Sequence, residues 1–152
     1  MSPRVLEDYL HAHIPLSRAM QVSVRELTDE LVVLGAPLAP NMNHVSTVFG
    51  GSASALAILA AWSLLYARLR DRELSASLLI RRNTIDYERP MSGDFTASAY
   101  LAEAQLWPDF LHTLARRGKA RIAVSAQLRG QGEEAAHFGA DFVALAAPLD
   151  KP

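Results

Sequence analysis

The sequence predicts an α+β domain in which an antiparallel β-sheet curls around one buried α-helix. One observation behind this prediction is that no Asp, Glu, Lys or Arg occurs between Glu30 and Arg68, and that the second half of this stretch is an apolar run opened by a Gly-Gly pair. A helix without a polar stripe must be surrounded by other elements. The other observation is that much of the remaining chain alternates apolar and polar residues, which is typical of half-buried strands.

Composition and charge restrict the class of protein. The 152 residues are half hydrophobic and one-fifth charged, which is ordinary for a globular protein, and we expect residues 1–152 to form a single domain. The formal net charge of −1 implies no basic face, so we expect no nucleic acid as a partner. The absence of cysteine excludes disulfides, thiolate nucleophiles and cysteine metal sites, and it fits a reducing compartment.

Two further expectations concern location. The N-terminus has no apolar core of signal-peptide length, so we expect a cytoplasmic protein. Residues 45–67 carry no charge and have the length of a membrane span. Because this segment contains paired glycines, several hydroxyl side chains and many alanines, we expect a buried helix and no membrane association.

The N-terminal part of the chain predicts a helix and a hairpin. Ser2 is a suitable N-cap and Pro3 suits the first helical position, so a helix is predicted over residues 3–12. Strands are predicted over residues 20–26 and 30–36, the second of which is rich in β-branched residues. The turn between them is short enough for a hairpin.

Residues 49–69 predict the long central helix. Two prolines end the preceding strand and hold an extended, polar loop that leads into this helix. Gly50 and Gly51 open the helix, and Ser52 is expected to cap it. Arginines in the last turn complement the helix dipole.

A strand with alternating faces is predicted to follow the central helix. The residues expected on one face are Leu79, Arg81, Asn83, Ile85 and Tyr87. The residues expected on the other face are Leu78, Ile80, Arg82 and Thr84.

The remaining chain predicts strands over residues 94–103 and 119–129, with a short helix over residues 108–117 between them. Residues 148–152 are expected to be a tail. The inward side chains expected of the strand over 119–129 are Ala120, Ile122, Val124, Ala126 and Leu128. The inward side chains expected of a last strand are Ala136, Phe138, Ala140 and Phe142.

This order of elements resembles the hotdog fold, a curved antiparallel β-sheet wrapped around one long central α-helix. The run Ala-Pro-Leu-Ala-Pro-Asn-Met-Asn at residues 36–43, followed by Thr-Val-Phe-Gly-Gly-Ser at residues 47–52 and by Trp62, is similar to the putative-thioesterase hotdog family. Residues 13–16 and 87–90 also fit that family, so the resemblance covers nearly the whole chain. The same domain occurs fused behind acetyltransferase-like domains in some bacterial proteins.

The wider acyl-CoA thioesterases of this fold carry an Asn, then a His-Gly-Gly six residues later, then an Asp or Glu on the central helix. In this sequence Asn43 stands at the Asn position, Gly50 and Gly51 match the two glycines, and Phe49 stands where the His would be. The helical acid would fall near Ile58, where none occurs. The carboxylate that serves related enzymes as general base or nucleophile is therefore missing from its usual place.

The Gly-Gly pair suggests a site that stabilises an oxyanion. Backbone N–H groups at a helix N-terminus are unpaired and carry partial positive charge. Gly50 and Gly51 let a substrate carbonyl approach these groups closely, and such donors lower the barrier of acyl transfer. The alternative interpretation is a tight loop-to-helix junction that tolerates no side chain.

Other candidate site residues lie in the loop and the helix start. Asn43 would hold a water or the thioester carbonyl, or would cap its own loop. His44 would act as a base, or is a solvated loop histidine. Thr47 and Ser54 would position water, and Ser52 would contact substrate or cap the helix.

Further substrate contacts are expected from Phe49 and from two strand arginines. Arg81 and Arg82 are candidates for binding CoA phosphates, with a solvated strand face as the alternative. Asp86, Glu88 and Asp94 are acids that would enter the site from a neighbouring strand or subunit, with solvated strand ends as the alternative.

The first functional hypothesis is a thioesterase acting on an acyl-CoA or acyl-carrier thioester. The resemblance implies a homodimer or a dimer of dimers, with the site between one subunit's loop–helix junction and the partner's strands. The second hypothesis is a non-catalytic acyl-thioester or lipid-binding module, and a third is a hotdog dehydratase, which would need a His paired with a helical acid. We expect no cofactor and no metal, since His11 and His13 do not share a helix face.

Overall fold

The computed structural model describes residues 1–146, so the tail predicted at residues 148–152 lies outside the described residues. The α-helices are α1 (Pro3–His13), α2 (Pro15–Ala19), α3 (Gly50–Arg70) and α4 (Leu106–Arg117). The strands are β1 (Ser23–Leu27), β2 (Val32–Ala36), β3 (Ala76–Tyr87), β4 (Phe95–Tyr100), β5 (Lys119–Gly130) and β6 (Glu133–Ala146). A short 3₁₀ helix spans Ala39–Asn41.

The six strands form one curved antiparallel sheet in the order β1-β2-β4-β5-β6-β3. The predicted hairpin between β1 and β2 is confirmed. The long helix α3 packs against β2, β3, β4, β5 and β6, and therefore lies across one face of the sheet, called the inner face below. This is the predicted hotdog fold.

Alternating side chains of β5 and β6 build much of the core. Their inner-face residues are buried, from Ala120 to Leu128 on β5 and from Ala136 to Ala144 on β6, which confirms the predicted faces. On α3, Leu56 and Leu64 are 0% exposed and meet this layer within one hydrophobic core. Burying one such leucine stabilises the fold by about 1.5–3 kcal/mol, so the sheet and helix hold each other in place.

The two predicted helix caps have different outcomes. The Ser2 hydroxyl accepts a hydrogen bond of 3.3 Å from the Val5 N–H, which confirms the predicted start of α1. The N-cap of α3 is Phe49, which has an extended backbone and supplies no side-chain cap. Capping of α3 by Ser52 is therefore wrong, because Ser52 already lies in the first helical turn and a capping residue must precede that turn.

The helix α2 was not predicted. Ile14-Pro15 ends α1 as a helix terminator does, but Pro15 also occupies the first position of α2, where its missing N–H costs nothing. The turn after α2 takes up the residues up to Val22, so β1 begins at Ser23, three residues later than predicted.

The predicted faces of β3 are wrong because the strand contains a β-bulge. The pairing with β6 shifts between Ile80 and Arg82, which leaves Arg81 as the extra residue. A bulge inserts one residue and so exchanges the faces beyond it. The inner-face residues of β3 are Leu78, Ile80, Asn83, Ile85 and Tyr87, opposite inner-face positions of β6. The outer-face residues include Leu79, Arg82, Thr84 and Asp86.

One side of α3 is only partly covered within a single chain. Ala55, Ile58, Trp62 and Tyr66 are half-buried along this side, so the expectation that α3 is enclosed all round holds only in part. Tyr9 of α1 stacks on Tyr66, and Tyr66 on Trp62, with ring centroids 4.6 Å apart in each pair. By length and composition α3 could cross a membrane, but 61% of its most apolar window is buried in the domain, as in the core helix of soluble proteins.

Candidate functional site at the start of the central helix

The first turn of α3 offers three backbone donors. Among the described residues, the N–H groups of Gly50, Gly51 and Ser52 have no hydrogen-bond partner, and the first paired group is the Ala53 N–H, which donates to the Phe49 carbonyl at 3.0 Å. Free N–H groups at the start of a 21-residue helix carry partial positive charge. This turn is therefore suited to an oxygen that gains negative charge.

The loop before α3 is closed by Asn43. The Asn43 Oδ1 accepts hydrogen bonds from the N–H groups of Val45 and Thr47, both 3.0 Å, and Nδ2 donates to the Thr47 Oγ1 at 2.8 Å. The Asn43 N–H also donates to the Thr47 carbonyl at 2.8 Å. The predicted site residues Asn43 and Thr47 thus hold the loop in shape, so Asn43 caps its own loop as the alternative interpretation expected. Contact of Asn43 or Thr47 with a substrate stays a prediction.

Two aromatic rings flank the paired glycines. A side-chain carbon on Gly51 would overlap the ring of Phe49, which folds back over the first turn although it is 56% exposed. On the other side, a side-chain carbon on Gly50 would lie 3.6 Å from the ring of Tyr87. The Tyr87 hydroxyl donates to the Gly50 carbonyl at 2.9 Å. An added side chain at Gly51 would therefore displace the Phe49 ring, whereas one at Gly50 would make an ordinary contact with Tyr87.

A groove of about 250 Å³ lies between α2 and the first turn of α3. Its lining is mostly apolar, with polar groups where the loop and helix meet. The lining residues are Leu16, Ala19, Met20, Pro40, Asn41, Phe49, Gly51, Ser52 and Ala55. An apolar groove that reaches a helix N-terminus suits a ligand with a carbonyl attached to a hydrocarbon group.

Asn41 is buried against this groove with only 2% of its surface exposed. Its Nδ2 donates to the carbonyls of Met20 at 3.0 Å and of Pro37 at 2.8 Å. Its Oδ1 has no hydrogen-bond partner among the described residues. A buried carbonyl oxygen without a donor is uncommon in a folded protein and calls for an explanation.

The chain is similar to known proteins over almost its whole length. Residues 3–146 match the model of the family described as Putative thioesterase (yiiD_Cterm). The chain belongs to this family. The family implies thioesterase activity in general, and therefore a thioester as the substrate.

Solved structures share the fold over almost the full length of the chain. The putative thioesterase from Shewanella oneidensis is 25% identical to this chain, with a TM-score of 0.83 and coverage of 94% of this chain and 96% of that one. A protein of unknown function from Chlorobaculum tepidum is 23% identical, with a TM-score of 0.89 and coverage of 95% and 94%. A thioesterase from Haemophilus influenzae is 11% identical, with a TM-score of 0.78 and coverage of 99% and 96%.

In this member of the putative thioesterase family, the strand arginines lie away from the helix start. Arg82 stands opposite Asp141 of β6 on the outer face of the sheet, and Arg81 lines an outer-face cavity with Arg121 and α4. Within one chain neither arginine is brought to Gly50 or Gly51. Phosphate binding by Arg81 and Arg82 stays a prediction.

Three further candidates lie near the helix start but make no polar side-chain contact there among the described residues. His44 is exposed in the loop closed by Asn43, and Ser54 is half-buried in the second turn of α3. Ser52 lines the groove beside Gly51, and its contact with a substrate stays a prediction.

The acids of this family member also lie elsewhere. Glu88 pairs with His137 at 3.2 Å, and Asp86 stands opposite His137 on the outer face. Within residues 1–146 no group of three or more His, Asp or Glu side chains is arranged to hold a metal ion. The helix α3 carries no acid, as its sequence already shows.

Sequence reasoning missed Asn41 and Tyr87 as residues of the site. The sequence predicts no role for Asn41 in the site, because it does not predict the helix α2, whose end lies against the Asn41 amide. Tyr87 was noted in a Tyr-Glu-Arg-Pro run, and its inward position depends on the bulge at Arg81. The sequence signal for Tyr87 is the run at residues 87–90, which resembles the family.

Proposed function

We propose that the protein hydrolyses an acyl-CoA or acyl-carrier thioester whose carbonyl oxygen is held at the start of α3. The observation that carries this proposal is the set of free N–H groups of Gly50, Gly51 and Ser52 beside a mostly apolar groove. Membership of a putative thioesterase family supports the reaction type. The family supports a thioester substrate in general, and the acyl-CoA or acyl-carrier class is part of our proposal.

In this reaction a water oxygen adds to the thioester carbon and the carbonyl oxygen becomes an oxyanion. Donors aimed at that oxyanion stabilise it more than the neutral carbonyl, which lowers the barrier. The C–S bond then breaks, the acyl group leaves as a carboxylic acid and the proton from water ends on the thiol. Since α3 supplies no acid, backbone donors carry the stabilising role in this chain.

We infer that the active form is a homodimer joined through the free edge of β3. This strand of 12 residues is the last in the sheet and pairs only with β6 in the described chain. A long unprotected edge favours pairing with another strand. The apolar side chains of Leu79, at 59% exposure, and Tyr87, at 54%, lie on this strand and would be covered by the partner.

A matched pair of variants at Gly50 tests the hydrolytic site. Gly50→Pro removes one free N–H at the first helical position, where proline is tolerated, and the extended backbone of Phe49 suits a following proline. Gly50→Ala adds a side-chain carbon at the same place, at an ordinary 3.6 Å from the Tyr87 ring, but keeps the N–H. Both proteins are assayed with a panel of acyl-CoA and acyl-carrier thioesters by release of free thiol.

We expect Gly50→Pro to lower kcat by about 100-fold or more, and Gly50→Ala to retain activity within a few-fold. Equal activity of the proline variant and wild type would contradict oxyanion binding at this N–H. No turnover of any thioester by a folded wild-type dimer would reject the hydrolase.

The second candidate function, a non-catalytic acyl-thioester-binding module, is favoured by the missing acid of α3. It predicts binding of the same thioesters without release of thiol. The same panel, followed by measurement of Kd for each ester, separates the two functions.

A further inference from the structure

We propose that the groove between α2 and α3 binds an acyl group that carries a hydroxyl close to its carbonyl, and that Asn41 Oδ1 accepts the hydrogen bond of that hydroxyl. This inference rests on the proposed function, because it places the thioester carbonyl at the first turn of α3. It narrows the substrate to the class of hydroxyacyl thioesters.

The orientation of the Asn41 amide is determined by its neighbours. Both hydrogens of Nδ2 are donated to backbone carbonyls, those of Met20 and Pro37. A flipped amide would place its oxygen against two other oxygens, which repel it. The oxygen must therefore turn away from both carbonyls, and it is left without a donor among the described residues.

Asn41 lies next to the proposed carbonyl site through its backbone. The Asn41 backbone carbonyl accepts a hydrogen bond of 2.8 Å from the Phe49 N–H, directly before the first turn of α3. Asn41, Gly51 and Ser52 line the same groove. In the proposed complex, the carbonyl of a ligand in this groove accepts from the free N–H groups of Gly51 and Ser52, and a donor a few atoms away is offered to Asn41 Oδ1.

This pairing of donor and acceptor selects the ligand chemistry. The carbonyl of a thioester accepts hydrogen bonds from the free N–H groups, but an unsubstituted acyl chain has no donor for Asn41. A hydroxyl on one of the first few carbons supplies it. A site with a buried polar group discriminates against the analogue that leaves this group unpaired.

The rim of the groove allows access to Asn41. Leu16 and Phe49 stand at the rim, and each is 56% exposed. Side chains with this exposure change rotamer without disturbing the core. Because the Asn41 oxygen is itself closed to solvent in the structure, the proposal requires these two side chains to turn aside when the acyl group enters.

The experiment compares matched thioesters on wild-type protein. Butyryl-CoA and hexanoyl-CoA are each paired with their 2-, 3- and 4-hydroxy derivatives, and kcat/KM is measured by thiol release. The same pairs are made as non-hydrolysable ketone analogues, whose Kd is measured by calorimetry. We expect at least one hydroxyl position to raise kcat/KM and to lower Kd by roughly 5- to 150-fold, the range for pairing one buried neutral acceptor.

Two alanine-to-leucine variants show where the preference arises. Ala55→Leu fills the groove from α3 without altering Asn41, and it should reduce the hydroxyl preference and weaken binding of the analogues. Ala115→Leu adds the same side chain at an exposed position of α4 and should change neither. Circular dichroism and thermal unfolding confirm that both variants fold.

The possible outcomes separate this inference from the proposed function. Turnover of all esters without a hydroxyl preference would overturn the inference and leave the thioesterase intact. Hydroxyl-preferring binding of the analogues with no thiol release would reject hydrolysis and support the groove assignment. Equal effects of Ala55→Leu and Ala115→Leu would also overturn the inference, since the groove would then not be the site of selection.

Discussion

The hydroxyl of Tyr87 donates a hydrogen bond of 2.9 Å to the carbonyl of Gly50 and thereby joins the end of the edge strand β3 to the first turn of α3. The Tyr87 ring packs beside Gly50 and leaves room for a side-chain carbon there, at 3.6 Å. The first peptide group of the helix, which presents the Gly51 N–H, is thus held by the strand that also forms the free edge of the sheet.

Replacing Tyr87 with Phe keeps the ring against Gly50 and removes only the hydroxyl. Because Tyr87 is 54% exposed, we expect the free energy of unfolding to fall by only about 0.5–1.5 kcal/mol. We expect kcat/KM for thioester hydrolysis to fall several-fold, since the first turn is less firmly oriented. Tyr100→Phe, which removes a hydroxyl from β4, serves as the control, and an equal loss of activity in both variants would contradict the role of the contact.

Gly51→Ala should separate activity from stability. Alanine favours helix over glycine by up to about 1 kcal/mol, so urea unfolding should show no loss of stability. The added carbon displaces the Phe49 ring, which lines the groove, and we expect kcat/KM to fall by about tenfold or more. In a double-mutant cycle, adding Gly51→Ala to Phe49→Ala should cost little further activity, because the clash is then absent. Additive losses would show that the ring is not the cause.

Asn41→Leu should destabilise the fold. The variant leaves the carbonyls of Met20 and Pro37 without their donor, and the first of these bonds is buried. We expect a loss of about 1–3 kcal/mol in the free energy of unfolding, measured in urea. Asn43→Leu, in a partly exposed loop, should cost less, and the reverse order of the two effects would contradict the assigned burial.

Leu79→Lys should weaken the proposed dimer with little effect on the single chain. Leu79 is 59% exposed on the edge strand, and lysine on an edge opposes pairing with a second strand. We expect sedimentation to show a dimer Kd raised by about tenfold or more, with activity lost in parallel. Val5→Lys, at 55% exposure on α1, is the matched control and should leave the dimer unchanged. Full activity of a monomeric Leu79→Lys protein would reject a site shared between subunits.

Tyr66 should make the stability sensitive to high pH. Burial, and secondly the neighbouring Tyr9, raise the pKa of Tyr66 above its usual 10.0. Because the folded protein holds this proton more tightly than the unfolded chain, the contribution is fully present below about pH 10 and is lost as the pH rises through the folded pKa. Urea unfolding across this range should show stability falling with pH, and the fall should be smaller in Tyr66→Phe. An unchanged pH dependence in that variant would contradict the shift.

The faces of β5 and β6 were predictable because a strand with one buried face repeats every two residues. The same rule failed on β3, where the bulge at Arg81 exchanges the faces beyond Ile80. Nothing in a single strand's alternation marks a bulge, since the extra residue is defined by its partner strand. Register against β6 is a tertiary property.

The two asparagines of the loop show the same limit for the site. Both are suited by residue type to hydrogen-bond their own loop, and the spacing to the paired glycines favoured Asn43. The folded chain uses Asn43 to close the loop and buries Asn41 beside the groove, where its amide donates to the Met20 carbonyl at the end of α2. The position of α2 could not be inferred from the proline that both ends α1 and begins α2.

The sequence by itself determined the sheet curled around an apolar helix, the glycine-opened start of that helix and the absence of an acid on it. These features depend on periodicity and residue type, which act along the chain. Only the tertiary structure decided that Tyr87 faces Gly50, that Phe49 covers Gly51 and that the Asn41 oxygen has no donor within residues 1–146. The first relationship joins residues far apart in sequence, the second depends on the rotamer of the Phe49 side chain, and the third on how α2 and the loop pack together, none of which is set by residue type alone.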